Sequence, residues 1–344
     1  MKGQVHGGDV YRHPQAIDFS ANMNPLGVPP KVIEAAIESL SRINNYPDVF
    51  KSKLREALAL YEGIASENII CGNGAAELIF ALALALKPQK ALLPVPTFAE
   101  YEQALQAVDC DIEYYQMVKN FALDEDILMH IDKGCDILFL CNPNNPTGLV
   151  IDHDLMMKIV EKCQKCQTFL VVDECFQDFV ETDKVQSLKK ELSKYPQVFL
   201  LKAFTKRYAM PGIRLGYGLC KDLDVLKKMT LVMQPWNISI PAEAAGIAAL
   251  KEQEYVEEAQ KLVKEEREYL MDKLYSLPLK VYQSQANYIF FEGPDNLHEQ
   301  CLQQNILIRD CSNYRGLLKG YYRIAVRNHE ENEKLIAVLN KILG

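Results

Sequence analysis

Two hydrophobic rhythms alternate along the first two thirds of this chain. In one, apolar residues recur every three to four positions; in the other, short apolar runs rich in β-branched residues are bounded by polar turns. Recurrence at i, i+3 and i+4 lines apolar side chains on one helical face, which predicts helices over 31–41, 51–61, 75–86, 98–108, 152–165 and 222–232. The apolar runs predict strands over 90–93, 111–116, 136–141, 168–173 and 197–202. Runs such as Phe169-Leu170-Val171-Val172 are apolar on both faces, as in a mostly parallel sheet covered by helices on each side. After Pro241 the rhythm changes. A long charged helix over 241–276 precedes short strands over 279–283, 287–291, 305–309 and 321–326, and a last helix. The expected organisation is α/β: a large domain over 31–240, then a smaller α+β domain over 241–344 that the first 30 residues join as an N-terminal arm.

The chemistry collects where predicted strands end. In open α/β sheets ligands bind beyond the carboxyl ends of the strands. Phe169 to Val172 runs straight into Asp173-Glu174, so Asp173 is expected to point into a site, although a helix-capping aspartate would look the same locally. Val198-Phe199-Leu200-Leu201 delivers Lys206 in the stretch Ala203-Phe204-Thr205-Lys206-Arg207, with Arg214 eight residues on as a cation for a phosphate. A lysine amine becomes a nucleophile when it is desolvated or set beside another cation. A third strand end carries Asn142-Pro143-Asn144-Asn145-Pro146-Thr147-Gly148, a loop by its Asn, Pro and Gly punctuation. The stretch Cys71-Gly72-Asn73-Gly74-Ala75-Ala76 is a glycine turn feeding a helix, whose free backbone N–H groups suit an anion.

Composition narrows the class. The 344 residues are 49% hydrophobic and 24% charged, with a net charge of −8, which argues against nucleic-acid or membrane-surface binding, since both reward basic patches. The start of the chain lacks the apolar core of a signal peptide, and the longest apolar run, 78–86, is too short to span a bilayer, so a cytoplasmic protein is expected. The ten cysteines are dispersed. Cys163 and Cys166 have C-x-x-C spacing with no second ligand pair, so no metal is expected.

Four such elements in this order resemble the fold-type I pyridoxal-phosphate enzymes of the aspartate aminotransferase superfamily, on the branch holding histidinol-phosphate aminotransferases. His6-Gly7-Gly8-Asp9, Phe19-Ser20-Ala21-Asn22-Met23-Asn24-Pro25-Leu26-Gly27 and Ile306-Leu307-Ile308-Arg309-Asp310-Cys311-Ser312-Asn313-Tyr314 resemble the threonine-phosphate decarboxylases of cobalamin synthesis within that branch. The resemblance implies the pyridoxal-phosphate transferase fold, its large domain built on a mostly parallel seven-stranded sheet, with pyridoxal 5′-phosphate as cofactor. Lys206 would attach it covalently, Asp173 would pair with the ring nitrogen and keep it protonated, and Asn145 would donate to the ring hydroxyl. Gly74, Ala75 and Ala76, with Thr205 and Arg214, would hold its phosphate, and Phe98 would stack on its ring.

The same resemblance implies a small phosphorylated amino acid as substrate. Arg323 would grip the α-carboxylate with its two-donor fork and, like Asn145, touch the substrate; Arg309, His6, Gly7, Gly8 and Asn24 would meet its phosphate. A surface ion pair is the plainer expectation for Arg327. Tyr46 matches a tyrosine that reaches the cofactor phosphate of a neighbouring subunit, which implies a homodimer with shared sites. Two departures stand out: Phe176 replaces a tyrosine common three residues after the aspartate, and Ala203 replaces a hydroxyl residue three before the lysine. Both predict somewhat weaker cofactor binding, and the loss of the tyrosine counts against transamination.

Overall fold

The computed structural model describes residues 6–181 and 184–344. The short strand β1 (Ile17–Asp18) is followed by helices α1 (Pro30–Ser39) and α2 (Ser52–Glu62), and then the main sheet begins with β2 (Ile69–Gly72). Helix and strand alternate from there: α3 (Ala75–Leu86), β3 (Lys90–Val95), α4 (Ala99–Gln106), β4 (Asp111–Gln116), β5 (Ile137–Cys141), α5 (His153–Cys166), β6 (Phe169–Asp173), β7 (Val198–Ala203), α6 (Phe204–Arg207), β8 (Gly216–Cys220) and α7 (Leu223–Val232). These strands form one seven-stranded sheet in the order β2-β8-β7-β6-β5-β3-β4. All its pairings are parallel except those of β8, which runs antiparallel to both β2 and β7. Leu170, Val171 and Val172 of β6 are wholly buried, as are Leu200 and Leu201 of β7, and this agrees with a sheet apolar on both faces.

The predicted helices and strands up to residue 232 lie within about two residues of those observed. Strands β2 and β8 complete the seven that the resemblance implies, but the hydrophobic pattern does not mark them. Both are short and rich in glycine, and Gly218 leaves room for the Phe199 ring, which a β-carbon would meet at 2.0 Å. The helix expected over 241–276 is two, α8 (Ile240–Ala249) and α9 (Gln253–Tyr275), broken at 250–252. They serve different cores. Ala242, Ala245 and Ala249 of α8 pack with Leu54, Leu215 and Leu219 of the main-sheet domain. Val263, Leu270 and Leu274 of α9 pack with Tyr288, Phe291 and Ile324 at the far end of the chain. A single straight rod would not bury both sets.

The second core is roofed by the four-stranded sheet β12-β13-β10-β9, all antiparallel, built from β9 (Lys280–Val281), β10 (Tyr288–Glu292), β12 (Arg309–Asp310) and β13 (Tyr321–Ala325). Helix α10 (Leu297–Gln303) leads into β11 (Ile306–Leu307), and α11 (His329–Leu343) closes the chain, its start capped by the Asn328 side chain. Strand β1 pairs in parallel with β11, and Phe19 is buried in this second core, so the N-terminal segment is held here.

Candidate active site

Parallel pairing sets the site. Cys141 of β5 is level with Asp173 of β6, which is level with Leu201 of β7, so the three strands end along one edge and their following loops bring Asn145, Asp173 and Lys206 to it. Beyond the end of β3, Thr97 and Phe98 lead into α4 on the same side. The Thr97 hydroxyl donates to Asn144 Oδ1 at 2.9 Å and Asn144 Nδ2 donates to the Pro96 carbonyl at 3.0 Å, which ties the two loops together.

Asp173 is buried, and its carboxylate accepts from the Tyr101 hydroxyl at 2.6 Å and from the Cys175 backbone N–H at 2.9 Å. Burial still pushes its pKa up. Its two hydrogen bonds hold a carboxylate at the strand end, ready for a cationic ring nitrogen. Sequence reading left Tyr101 out; the Phe98 ring packs edge-on against it at 5.5 Å and Phe139 stacks on it at 5.1 Å.

Lys206 sits half-buried in the single turn α6. Burial lowers its pKa to about 8, with the positive charges of Arg323 and Arg214 adding to the effect. Its ammonium lies 5.8 Å from the Phe176 ring. The other cations of this stretch are neutralised. Lys202 pairs with Glu174 at 2.9 Å and Arg207 with Asp178 at 3.1 Å, so Lys206 alone of the three is left to titrate near neutrality.

Arg323 of β13 crosses from the smaller sheet into this edge. It is buried, one terminal nitrogen donates to Asn145 Oδ1 and the other to the Ser20 carbonyl at 2.8 Å, and its Nε is buried without a partner. An orphaned buried guanidinium N–H implies an anion that completes it. Tyr314 joins the same cluster, its hydroxyl donating to Asn145 Oδ1 at 3.3 Å.

A second anion cradle lies at the start of α3. Gly74 takes φ +80, and a β-carbon there would meet Arg214 Nη2 at 2.4 Å, so the guanidinium is packed against the glycine at the helix N-terminus, where Ala75 and Ala76 present first-turn N–H groups. Gly216 keeps β8 equally close, since its β-carbon would lie 2.5 Å from the Ala75 nitrogen. Thr205 is half-buried on the neighbouring turn. This donor set suits a phosphate, and together with the Asp173 carboxylate, the Lys206 amine and the Phe98 ring it fits pyridoxal 5′-phosphate.

The remaining expected residues divide. Arg309 is buried beside a cavity of about 190 Å³ lined also by His6, Ser20 and Asn313; it donates to the Asp310 carbonyl and to Asn313 Oδ1, both at 2.7 Å. Asn24 has a different place from the one expected. Its amide donates to the Arg207 carbonyl at 2.8 Å and its Oδ1 accepts from the Leu26 N–H, while its own N–H donates to the Lys206 carbonyl at 3.2 Å; both amide groups are engaged in holding the lysine-bearing turn. Gly7 and Gly8 are likewise explained by the backbone. A β-carbon on Gly7 would lie 2.2 Å from the Ser20 carbonyl oxygen, and the Gly8 N–H donates to Ser20 Oγ at 2.7 Å. Arg327 pairs with Glu331 at 2.8 Å, as its plainer reading had it. Tyr46 is exposed and stacks on Trp236 at 4.7 Å. Among the described residues no group of three or more His, Cys, Asp or Glu side chains could hold a metal ion, and no helix is long and apolar enough to cross a membrane.

The family model for class I and II aminotransferases matches residues 14–339. The chain belongs to that family. It is a pyridoxal-phosphate enzyme of fold type I. It is 38% identical to the threonine-phosphate decarboxylase of Salmonella typhimurium over 96% of this chain and 92% of that one. It is 30% identical to the histidinol-phosphate aminotransferase of Methanosphaera stadtmanae over 95% of this chain and 90% of that one. Among solved structures, the histidinol-phosphate aminotransferase from Clostridium acetobutylicum superposes with a TM-score of 0.88 at 29% identity, covering 94% of this chain and 98% of the other.

Proposed function

We propose that this enzyme decarboxylates L-threonine O-3-phosphate to (R)-1-amino-2-propanol O-2-phosphate, a step of cobalamin synthesis. The carrying observation is the pair of buried arginines from the smaller sheet. Arg323 faces Asn145 and Arg309 faces the cavity by His6, so the site offers separate grips for the two anions of a small phosphorylated amino acid. The 38% identity to the Salmonella typhimurium decarboxylase supports the same substrate.

The roles follow from position. When bound, the cofactor supplies a pyridinium ring that accepts the electron pair released as a bond at Cα breaks. Asp173 keeps the ring nitrogen protonated, and Gly74, Ala75, Ala76, Thr205 and Arg214 hold the cofactor phosphate. Lys206 would hold the cofactor covalently, and its amine, when free, would stand beside the substrate Cα. Arg323, fixed by the Ser20 carbonyl and Asn145, would grip the α-carboxylate and so orient the bonds at Cα. With its pKa near 8, Lys206 carries a proton at neutral pH that it gives to Cα after carbon dioxide leaves. Phe176, whose ring lies 5.8 Å from the Lys206 ammonium, brings no hydroxyl to this side of the site.

The likeness to histidinol-phosphate aminotransferases makes transamination the second reading. L-serine O-phosphate, which lacks one methyl, would be discriminated by only about 1–3 kcal/mol. Exposed apolar side chains, Tyr46, Phe50 and Leu231 among them, support a homodimer, and the composition supports the cytoplasm as its compartment. Product analysis tests the reaction. Carbon dioxide released from L-threonine O-3-phosphate without an acceptor is the expected result. Glutamate formed only when 2-oxoglutarate is added would overturn it in favour of transamination.

A further inference from the structure

One buried carboxyl in the site has no part in the account above. Glu100, the second residue of α4, is largely buried; its Oε1 lies 3.3 Å from His6 Nδ1 and its Oε2 is buried with no hydrogen-bond partner. It therefore joins the large domain to the N-terminal arm through His6, which lines the cavity where Arg309 lies. The arm itself is seated on the Ser20 loop through Gly7 and Gly8, and that loop's carbonyl positions Arg323. Arm, carboxylate grip and phosphate cavity thus share one support.

The charges around this carboxyl are mixed. Arg309 of β12 and Lys206 of α6 favour its ionised form, while Asp173 of β6 opposes it. Tyr314 lies on the same side, and the cavity beyond His6 is lined by Asp9, His13, His298 and Asp310. Burial outweighs the cations and raises the pKa of Glu100 to about 7, while burial and Arg309 lower that of His6. Near neutrality the pair is poised to take up one proton, and a dianion arriving at Arg309 favours that uptake by simple charge repulsion.

The geometry points to Glu100 as a positioning residue of the phosphate subsite: through its contact to His6 it seats the N-terminal arm beside Arg309, and its carboxyl faces the phosphomonoester dianion that binds there. The inference takes its ligand from the phosphorylated-substrate reading. It makes ligand binding proton-coupled. As pH rises through the range where Glu100 ionises, its negative charge faces the incoming dianion and affinity falls. Glutamine keeps the shape and the contact to His6 without the charge; alanine removes the contact.

Sulfate is the probe, because its charge stays constant over the working range. Its affinity for the cofactor-loaded enzyme is measured between about pH 6 and about pH 9, together with the KM for L-threonine O-3-phosphate. For the wild-type enzyme the sulfate Kd is expected to rise by about tenfold across that range. In Glu100→Gln the rise is expected to vanish and KM to follow it. In Glu100→Ala affinity is expected to be lower throughout, the loss falling on KM more than on kcat. A flat wild-type profile, no sulfate binding, or an unchanged slope in Glu100→Gln would overturn the inference. Sulfate binding with the expected slope but no turnover of L-threonine O-3-phosphate would overturn the substrate reading and leave Glu100 in its place.

Discussion

Lys202 and Lys206 are four residues apart in one segment, yet the protein drives their amines in opposite directions. Lys202, on β7, is held up: against the desolvation of burial, the carboxylates of Glu174 and Glu62 raise its pKa, and the Glu174 contact is 2.9 Å. Lys206, one turn later, has the same desolvation but faces Arg323 and Arg214, and its pKa falls to about 8. Burial alone does not make a lysine a nucleophile; burial among cations does. The face of β7 that carries Lys202 is a structural ion-pair network reaching Glu62, Lys189 and Tyr217, and the end of β7 that carries Lys206 is the proposed reaction site.

The comparison can be broken most sharply by exchanging losses between the two sides. Lys206→Ala is expected to lower turnover by about 10³-fold or more while leaving the thermal midpoint near the wild-type value, because in the proposed reaction the lysine moves the proton and its side chain holds no structural partner. Glu174→Gln should do the reverse. It strands the buried Lys202 charge, at a cost of about 3–5 kcal/mol in denaturant unfolding, and Lys202→Met combined with Glu174→Leu should recover most of that loss. Turnover that survives Lys206→Ala, or an unfolding curve unmoved by Glu174→Gln, would erase the distinction.

Smaller changes sharpen it. Arg323→Gln removes the nearest opposing cation, so the Lys206 pKa should move up toward that of a free lysine, and KM for the phosphorylated amino acid should rise by about tenfold or more as the carboxylate grip is lost. Phe176→Tyr should be the mildest, slowing cofactor loss by a few-fold, on the order of one hydrogen bond, as read from the rate of exchange with free pyridoxal phosphate.

Much of this site could be read in the sequence because its chemistry is local to strand ends. Asp173, Asn145 and Lys206 each follow an apolar run within a few residues, and Gly74 announces a helix start. What escaped reading came from across the chain. Tyr101 reaches Asp173 from 72 residues away and Tyr314 reaches Asn145 from 169 residues away, and no periodicity links such partners. Asn24 was expected at the substrate phosphate only through the resemblance, whereas its amide closes on the backbone of a turn far along the chain. In the fold, the glycines of β2 and β8 masked two strands, and the break between α8 and α9 carries neither glycine nor proline, because two separate cores rather than local propensity impose it.

The most direct test of the central claim is a site-resolved titration of the two lysines in cofactor-free protein, by amine labelling across pH followed by peptide mass analysis. A lowered pKa leaves the neutral, reactive amine populated above its midpoint. Lys206 is therefore expected to label with a midpoint near 8, and Lys202 to stay unreactive well beyond it. Equal midpoints for the two, or a Lys206 midpoint at the ordinary lysine value, would contradict the account.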